Sequence, residues 1–214
     1  GAYSHQESGE AWDFGPDGGG YANETTGITV EDFQRFSDIL SNQYGIETGP
    51  LVYNLPYEND RYFARLDLQI NDAHRLEATY QRLEESTVKE DGIFDSITSP
   101  TLTGLNNFYN SGTKSDYYST RLYSDWSDNF STELRYAHSQ IDDLQDPVGG
   151  GEAQSDNPIP QINVGTFRDG IYGSLQAGPG TFRMANQLNT TVDYATAIAR
   201  IDAGRHSIKL GTTW

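Results

Sequence analysis

The chain has no cysteine among its 214 residues. Disulfide bonds, thiolate metal sites and cysteine nucleophiles are therefore excluded. It also has no apolar run close to the roughly 20 residues that a membrane-spanning helix needs. Its 14 Lys and Arg residues are scattered among 31 Asp and Glu residues, which gives a formal net charge of -17. Because phosphate binding requires a clustered basic surface, nucleic acid is excluded as an expected partner.

Signatures of catalysis are also missing. No GxSxG, HExxH or P-loop motif occurs, and no two of the four histidines, His5, His74, His138 and His206, share one face of a helix. Loop carboxylates such as Asp13 and Asp142 have suitable oxygens for calcium, but they lack the EF-hand spacing and are interpreted as solvated. We therefore predict no enzymatic activity, no cofactor and no metal site.

Three segments alternate between apolar and polar residues, which is the period of a β-strand. In the clearest, residues 61–86, Leu66 and Leu68 alternate with Arg65 and Asp67. The pattern stops at a short turn and then resumes, so each segment is predicted to be a hairpin. The three predicted turns are Asn71-Asp72-Ala73, Ser127-Asp128-Asn129 and Asp202-Ala203-Gly204.

Long connections join the hairpins, over about residues 11–60, 87–113 and 142–187. The first contains a helix signal, with Thr29 as N-cap, Glu31 and Asp32 in the first turn, and Gly45 at the end. Its predicted apolar face consists of Phe33, Phe36, Ile39 and Leu40. In the second connection, apolar residues that include Ile93 and Phe94 are expected either to pack the loops together or to face a ligand.

Tight turns at one end of the hairpins and long loops at the other are the layout of outer-membrane barrels. We therefore predict an all-β, antiparallel, up-and-down transmembrane β-barrel segment. It would have about seven strands, short periplasmic turns, long extracellular loops and one short loop helix.

The two faces of the predicted strands differ in charge. One face carries Leu, Ala, Tyr, Ile and Thr without charges along the strand centres, as lipid requires. The other face mixes both signs of charge, as a water-filled lumen favours. The predicted lumen-facing residues are Arg65, Asp67, Arg75, Glu77, Arg121, Asp125, Glu133 and Arg135. In the third hairpin Ile198 falls on the polar side of the pattern, so its register is left open.

Aromatic residues in the long loops are candidate contacts for an extracellular ligand. They are Trp12, Phe14, Tyr21, Tyr53, Tyr57, Phe108, Tyr109, Phe167 and Tyr172. Rings beside Asn, Gly and Ser suit the recognition of peptide or carbohydrate. The alternative, that these rings pack loop against loop, agrees equally well with the sequence.

Three stretches of the chain contain a pattern more specific than alternation. They are DRYFARLDLQINDAHRLEATYQ, where a strand ends on Asn-Asp and resumes at His-Arg-Leu, then GPGTFRMANQLN, and AGRHSIKLGTTW. The last is similar to a Gly-x-His-x-apolar-x-x-Gly strand start. Together with the helix-bearing first loop, they resemble the TonB-dependent receptors of the Gram-negative outer membrane, particularly the Oar-like subgroup. The resemblance covers most of the chain.

The resemblance implies a place in the outer membrane, with lipid, the TonB system and an extracellular ligand as partners. It implies energised uptake of a bulky ligand, such as a peptide, an oligosaccharide or a metal chelate, without covalent chemistry. Family barrels have about twenty-two strands and an N-terminal plug. We therefore expect residues 1–214 to be part of a TonB-dependent receptor β-barrel domain, with the plug domain and the remaining strands outside this chain.

Two alternatives stay open. The chain could be a receptor-derived fragment that acts as a structural or interaction protein, assembling through open strand edges. It could also be a secreted all-β binding module, in which a second sheet would have to cover the charge-free face.

Overall fold

A computed structural model describes residues 1–91, 98–180 and 186–214 of the chain. The fold is mostly β, with 67% of the described residues in strands and 9% in helical turns. The strands within the described ranges are β1 (Ala2–Ala11), β2 (Phe14–Asp17), β3 (Asn23–Thr29), β4 (Asn54–Asn71), β5 (His74–Lys89), β6 (Thr101–Thr103), β7 (Tyr109–Ser127), β8 (Phe130–Pro147), β9 (Ile162–Arg168), β10 (Ile171–Ala177), β11 (Asn186–Ala203) and β12 (His206–Thr213). The expected all-β class is confirmed.

One helix, α1 (Val30–Ile39), lies in the first long connection and continues into a π-helical turn at Leu40–Tyr44. A 3-10 turn occupies Leu105–Asn107. Within the described ranges no helix has the length and apolar character to cross a membrane. Ile93 and Phe94, for which a packing or ligand role was expected, lie outside the described residues.

Seven long strands form one antiparallel sheet in the order β1-β4-β5-β7-β8-β11-β12. Neighbours in the sheet are neighbours along the chain apart from the short strands, as an up-and-down topology requires. In the described part of the chain β1 and β12 do not pair with each other, so the sheet has two open edges. The prediction of an antiparallel sheet of about seven strands is confirmed, and a closed barrel is not observed.

The hairpin turns are tighter than the sequence predicted. Asn71 pairs with His74, so the first turn consists of Asp72 and Ala73 alone, next to a bulge in β4. The Oδ1 atom of Asn71 accepts a hydrogen bond from the N–H of Ala73 at 2.9 Å. The second turn, at residues 128–129, also has two residues.

The predicted position of the third turn was wrong. Ala203 still pairs with His206, and the turn consists of Gly204 and Arg205. Gly204 has a φ of 64°, which a residue without a Cβ adopts at little cost. This register also places Ile201 opposite Ile208.

Register aligns the apolar residues of neighbouring strands into continuous rows. Leu68 pairs with Leu76, which pairs with Leu122, and this row continues through Leu134 to Ala197. The pairing also resolves the third hairpin. Because alternate residues of a strand point to opposite faces, Ala197 shares the face of the leucines, and Ile198 points to the polar face.

The long connections fold together into a compact unit at the end of the sheet away from the tight turns, which we call the cap. Its main core consists of Phe14, Ile28, Phe33, Phe36, Leu40, Ile46, Leu102, Leu175 and Ala177. A second core, formed by Val52, Val88 and Phe108, joins the cap to the end of β5. The side chain of Asn107 donates to the carbonyl of Gly178 at 3.0 Å, which links the second and third connections.

Two small sheets frame the cap core. β10 pairs with β9 in an antiparallel hairpin and with β6 in parallel, while β2 pairs in parallel with β3. The hairpin turns at Asp169 and Gly170, whose φ angles are 51° and 81°. Two consecutive positive φ angles define the tight turn that an Asp-Gly sequence favours.

The start of α1 follows the sequence prediction. Thr29 accepts a hydrogen bond from the N–H of Asp32, and the Asp32 carboxylate accepts one from the N–H of Thr29, which forms a capping box. Phe33, Phe36 and Leu40 are buried, whereas Ile39, expected on the same face, is 45% exposed.

We expect Thr29→Ala to destabilise α1 by about 1 kcal/mol, because the mutation removes the acceptor for the Asp32 N–H. The measurement is the hydrogen-exchange protection of residues 30–40, compared with Thr26→Ala, a change at an exposed residue of the preceding strand. Equal loss of protection in the two variants would contradict the capping role.

Candidate functional site

The polar face of the large sheet carries a connected set of ion pairs. All eight residues predicted to face a lumen point to this face. Arg65 contacts Asp67 at 2.7 Å and Glu77 at 3.0 Å, and Arg75 approaches Asp67 at 3.7 Å. Further along the sheet, Arg121 lies 3.3 Å from Glu133.

Hydrogen bonds and aromatic rings extend this polar face. Arg121 donates to the hydroxyl of Tyr123 at 2.8 Å, and the guanidinium of Arg75 stacks over the Tyr123 ring at 4.3 Å. Arg135 donates to Tyr117 at 2.8 Å. A hollow of about 280 Å³ lies near the tight turns and is lined by Arg75, Tyr123, Asp125, Glu133 and Arg200 among others. The paired charges and open hollow suit a hydrated surface.

The opposite face of the sheet is apolar and uncovered. Leu66 is 62% exposed and Leu134 is 50% exposed. The exposed apolar and aromatic side chains of this face include Tyr62, Leu66, Leu68, Ile70, Tyr118, Trp126, Phe130, Leu134, Tyr136, Ile201, Ile208 and Leu210. A contiguous patch of this size on a folded protein indicates a surface that contacts another apolar phase or partner.

Three similar polar clusters border the apolar band on the side of the cap, and we call them clasps. In the first, Asp60 accepts hydrogen bonds from Tyr3 at 2.7 Å and pairs with His5 at 2.9 Å. In the second, Asp193 accepts from Tyr136 at 2.5 Å and pairs with His138 at 2.9 Å.

The third clasp has arginine in place of histidine. Asp116 accepts from Tyr80 at 2.6 Å and lies 3.6 Å from Arg82. In each clasp the tyrosine and the cation stand two residues apart on one strand and the aspartate stands on the next. The clasps were not predicted from the sequence. The signal for two of them is a Tyr-x-His triplet followed 55 residues later by an aspartate.

Most of the loop aromatics expected to bind a ligand are built into the cap. Phe14, Phe108 and Tyr109 are buried, and Trp12 is half-buried with its ring edge-on to Phe108 at 5.8 Å. Tyr57 is half-buried and donates to Glu85 at 3.0 Å. These placements favour loop packing over ligand contact for these five residues.

The other four predicted aromatics form two pairs nearer to solvent. Tyr21 stacks on the exposed Tyr53, with ring centroids 4.5 Å apart. Phe167 and Tyr172 contact each other at 4.4 Å across the β9–β10 hairpin and are 61% and 71% exposed. The prediction that these residues contact a ligand stays a prediction.

No protein-family model, curated protein or solved structure matches this chain.

The glycine-rich loop before β3 wraps around one carboxylate. Glu24 accepts hydrogen bonds from the N–H groups of Gly20 at 2.5 Å and of Gly18 and Tyr21 at 3.1 Å each. These backbone donors hold the pKa of Glu24 below its usual range. The loop conformation thus depends on an ionised Glu24.

We expect the loop to lose order in acid. Because the pKa of Glu24 is lower in the folded loop, its stabilising effect is complete above about pH 4.5 and is lost as the pH falls through the lowered value. The measurement is the amide protection of residues 18–24, corrected for intrinsic exchange, between pH 6 and pH 3. Glu24→Gln should reduce protection at pH 6 and remove most of the pH dependence. The control is Glu31→Gln, at an exposed residue of α1, and an equal effect there would contradict the role of Glu24.

Proposed function

We propose that this chain is a membrane-spanning part of an outer-membrane β-barrel receptor that takes up a bulky ligand. The observation that supports it most is the pair of unlike faces on one antiparallel sheet. An uncovered apolar face suits lipid, and a face of paired charges suits a hydrated lumen. Chemical catalysis is not part of the proposal, and the conformational change of a larger receptor would move the ligand.

The dimensions of the apolar band fit this proposal. On β4 the band runs from Tyr62 to Ile70, which is eight residue steps, or about 26 Å at roughly 3.3 Å per residue. Outward-facing apolar bands of outer-membrane barrels are about 25 Å tall, with aromatic residues at both borders. Here Trp126 and Phe130 lie at the turn border, and Tyr80 and Tyr136 lie at the cap border.

The TonB-dependent family is proposed on the sequence resemblance described above. The cap then corresponds to the extracellular loops, the tight turns face the periplasm, and the sheet edges at β1 and β12 pair with further strands of the same barrel. Energy for uptake would come from the TonB system through a part of the receptor outside this chain.

The test is the electrophoretic behaviour of the detergent-extracted protein. A β-barrel that stays folded in dodecyl sulfate without heating migrates differently on a gel before and after boiling, and we expect this shift. We also expect a circular dichroism spectrum dominated by β-strand. A folded monomer that stays in solution without detergent or lipid would contradict the proposal and favour a secreted binding module.

The open edges of the sheet support a second candidate. Edge strands present unpaired backbone donors and acceptors, which another strand can satisfy. A receptor-derived fragment could therefore assemble with copies of itself through β1 and β12. Ordered oligomers in the absence of lipid, seen by size-exclusion chromatography and negative-stain imaging, would favour this candidate, and monomers would exclude it.

A further inference from the structure

An open apolar groove of about 520 Å³ runs between α1 and one face of the β9–β10 hairpin. The helix side of the groove presents Arg35, Ile39 and Tyr44, and the sheet side presents Ile162, Val164 and Thr166. Ile39, Tyr44 and Val164 are 45%, 69% and 44% exposed. The hydrophobic core ends at Phe36, Leu40 and Leu175, so these exposed side chains add apolar surface that the cap itself does not cover.

The backbone beside this groove is the free edge of a sheet. β9 pairs with β10 on one side, and no strand in the described part of the chain pairs with its other side. Successive residues of an edge strand alternate between backbone groups that point into the sheet and groups that point outward. A chain that added to β9 would therefore gain backbone hydrogen bonds, and every second side chain would point into the groove.

The charges at the rim favour an acidic group in the occupant. At one end of the groove Asp32 is neutralised by Arg168, with 3.1 Å between the carboxylate and the guanidinium. Arg35 is exposed and forms no ion pair among the described residues. Arg35 can therefore pair with a carboxylate of the bound molecule, although the net charge of the protein is strongly negative.

We propose that the groove binds an extended peptide that adds as a strand to β9, places alternate apolar side chains between α1 and β9, and directs a carboxylate to Arg35. The groove wall from Ile162 to Thr166 spans four residue steps, about 13 Å, so four to five peptide residues fill it. The proposal rests on the proposed receptor function and names the ligand class of its cap.

The experiment uses the protein in lipid nanodiscs and a fluorescein-labelled eight-residue peptide. In the peptide Val alternates with Ser, and the C-terminus is a free carboxylate. Fluorescence anisotropy should show saturable binding. Ile39→Glu should weaken binding at least tenfold because it places a carboxylate in the apolar wall. Arg35→Ala should weaken binding of the free-acid peptide severalfold and leave the C-terminal amide peptide unchanged.

Two controls separate strand addition from general adhesion. The same peptide with N-methyl groups at alternate residues cannot form the ladder and should bind at least tenfold more weakly. Asn163→Ala, at an exposed residue on the other face of β9, should bind the unmodified peptide as the parent protein does. Equal binding of the methylated peptide, or an unchanged affinity in Ile39→Glu, would overturn the proposal, as would saturable binding of octyl glucoside without any binding of peptide.

Failure of this inference is distinct from failure of the proposed function. A protein that shifts on heating and does not bind the peptide remains a candidate receptor with another ligand. A protein that binds the peptide and folds without lipid would retain the groove and lose the membrane assignment.

Discussion

Phe108→Ala is expected to lower the free energy of opening of the cap by about 3–5 kcal/mol. The ring is 1% exposed and packs against Val52 and Val88, with Trp12 edge-on at 5.8 Å. Its removal leaves a cavity at the junction between the cap and the end of β5, and the surrounding strands cannot close it. The measurement is hydrogen exchange of cap amides in the detergent-solubilised protein, in which the protected amides should exchange a hundredfold faster or more.

The matched control is Phe167→Ala, at an aromatic residue of the same cap that is 61% exposed. A surface truncation of this kind changes stability by less than about 0.5 kcal/mol. Equal losses in the two variants would contradict the packing role of Phe108. So would unchanged protection in Phe108→Ala, because the ring would then be free to serve a ligand.

Leu66→Arg is expected to destabilise the lipid-inserted protein by about 2–4 kcal/mol. Leu66 is 62% exposed on the apolar face, and its neighbour across the strand pair is Ala78. An arginine at such a position costs little free energy if the face contacts water, but it is strongly destabilising if the face contacts hydrocarbon. The measurement is reversible unfolding by guanidinium chloride in phospholipid vesicles, followed by tryptophan fluorescence.

Gln69→Arg provides the comparison on the same strand. Gln69 is exposed on the polar face, opposite Arg75, and its side chain donates to the carbonyl of Asn71, while Asp67 and Asp72 lie near enough to offset an added charge. We expect a loss of no more than about 1 kcal/mol. If Leu66→Arg were as mild as Gln69→Arg, the apolar face would not contact lipid, and a secreted module or a sheet-on-sheet assembly would be favoured.

The elements that the sequence predicted well are those encoded locally. The period-two alternation at Leu66 and Asp67 places their side chains on opposite faces whatever the rest of the chain does. The start of α1 was likewise predicted, because Thr29 and Asp32 satisfy each other's backbone within one turn.

The cap required information that local patterns do not contain. β6 pairs with β10 through residues such as Thr101 and Ser174, which are 73 positions apart and whose hydroxyls lie 3.0 Å from each other. Whether Phe108 or Phe167 is buried depends on how three separate connections meet. From the sequence alone, both rings were therefore equal candidates for contact with a ligand. The groove beside Ile39 was missed for the same reason, since its second wall lies more than 120 residues away.

The regular placement of the three clasps has a geometric consequence. Asp193 is level with Tyr118 through the strand pairing, and Asp116 lies two residues nearer the cap than Tyr118. Asp116 on β7 pairs with Arg82, which pairs with Tyr62 on β4, and Asp60 lies two residues nearer the cap than Tyr62. From β11 to β4 the clasp aspartates therefore climb toward the cap by one residue for each strand crossed.

With roughly 3.3 Å per residue and about 4.8 Å between strands, this climb corresponds to an incline of about 35°. Strands of closed barrels lean by about 35–45° from the barrel axis. Where the strands lean by this angle against the direction of the climb, Asp60, Asp116 and Asp193 come to the same height above the tight turns. A closed barrel with that lean would carry the three clasps at one level.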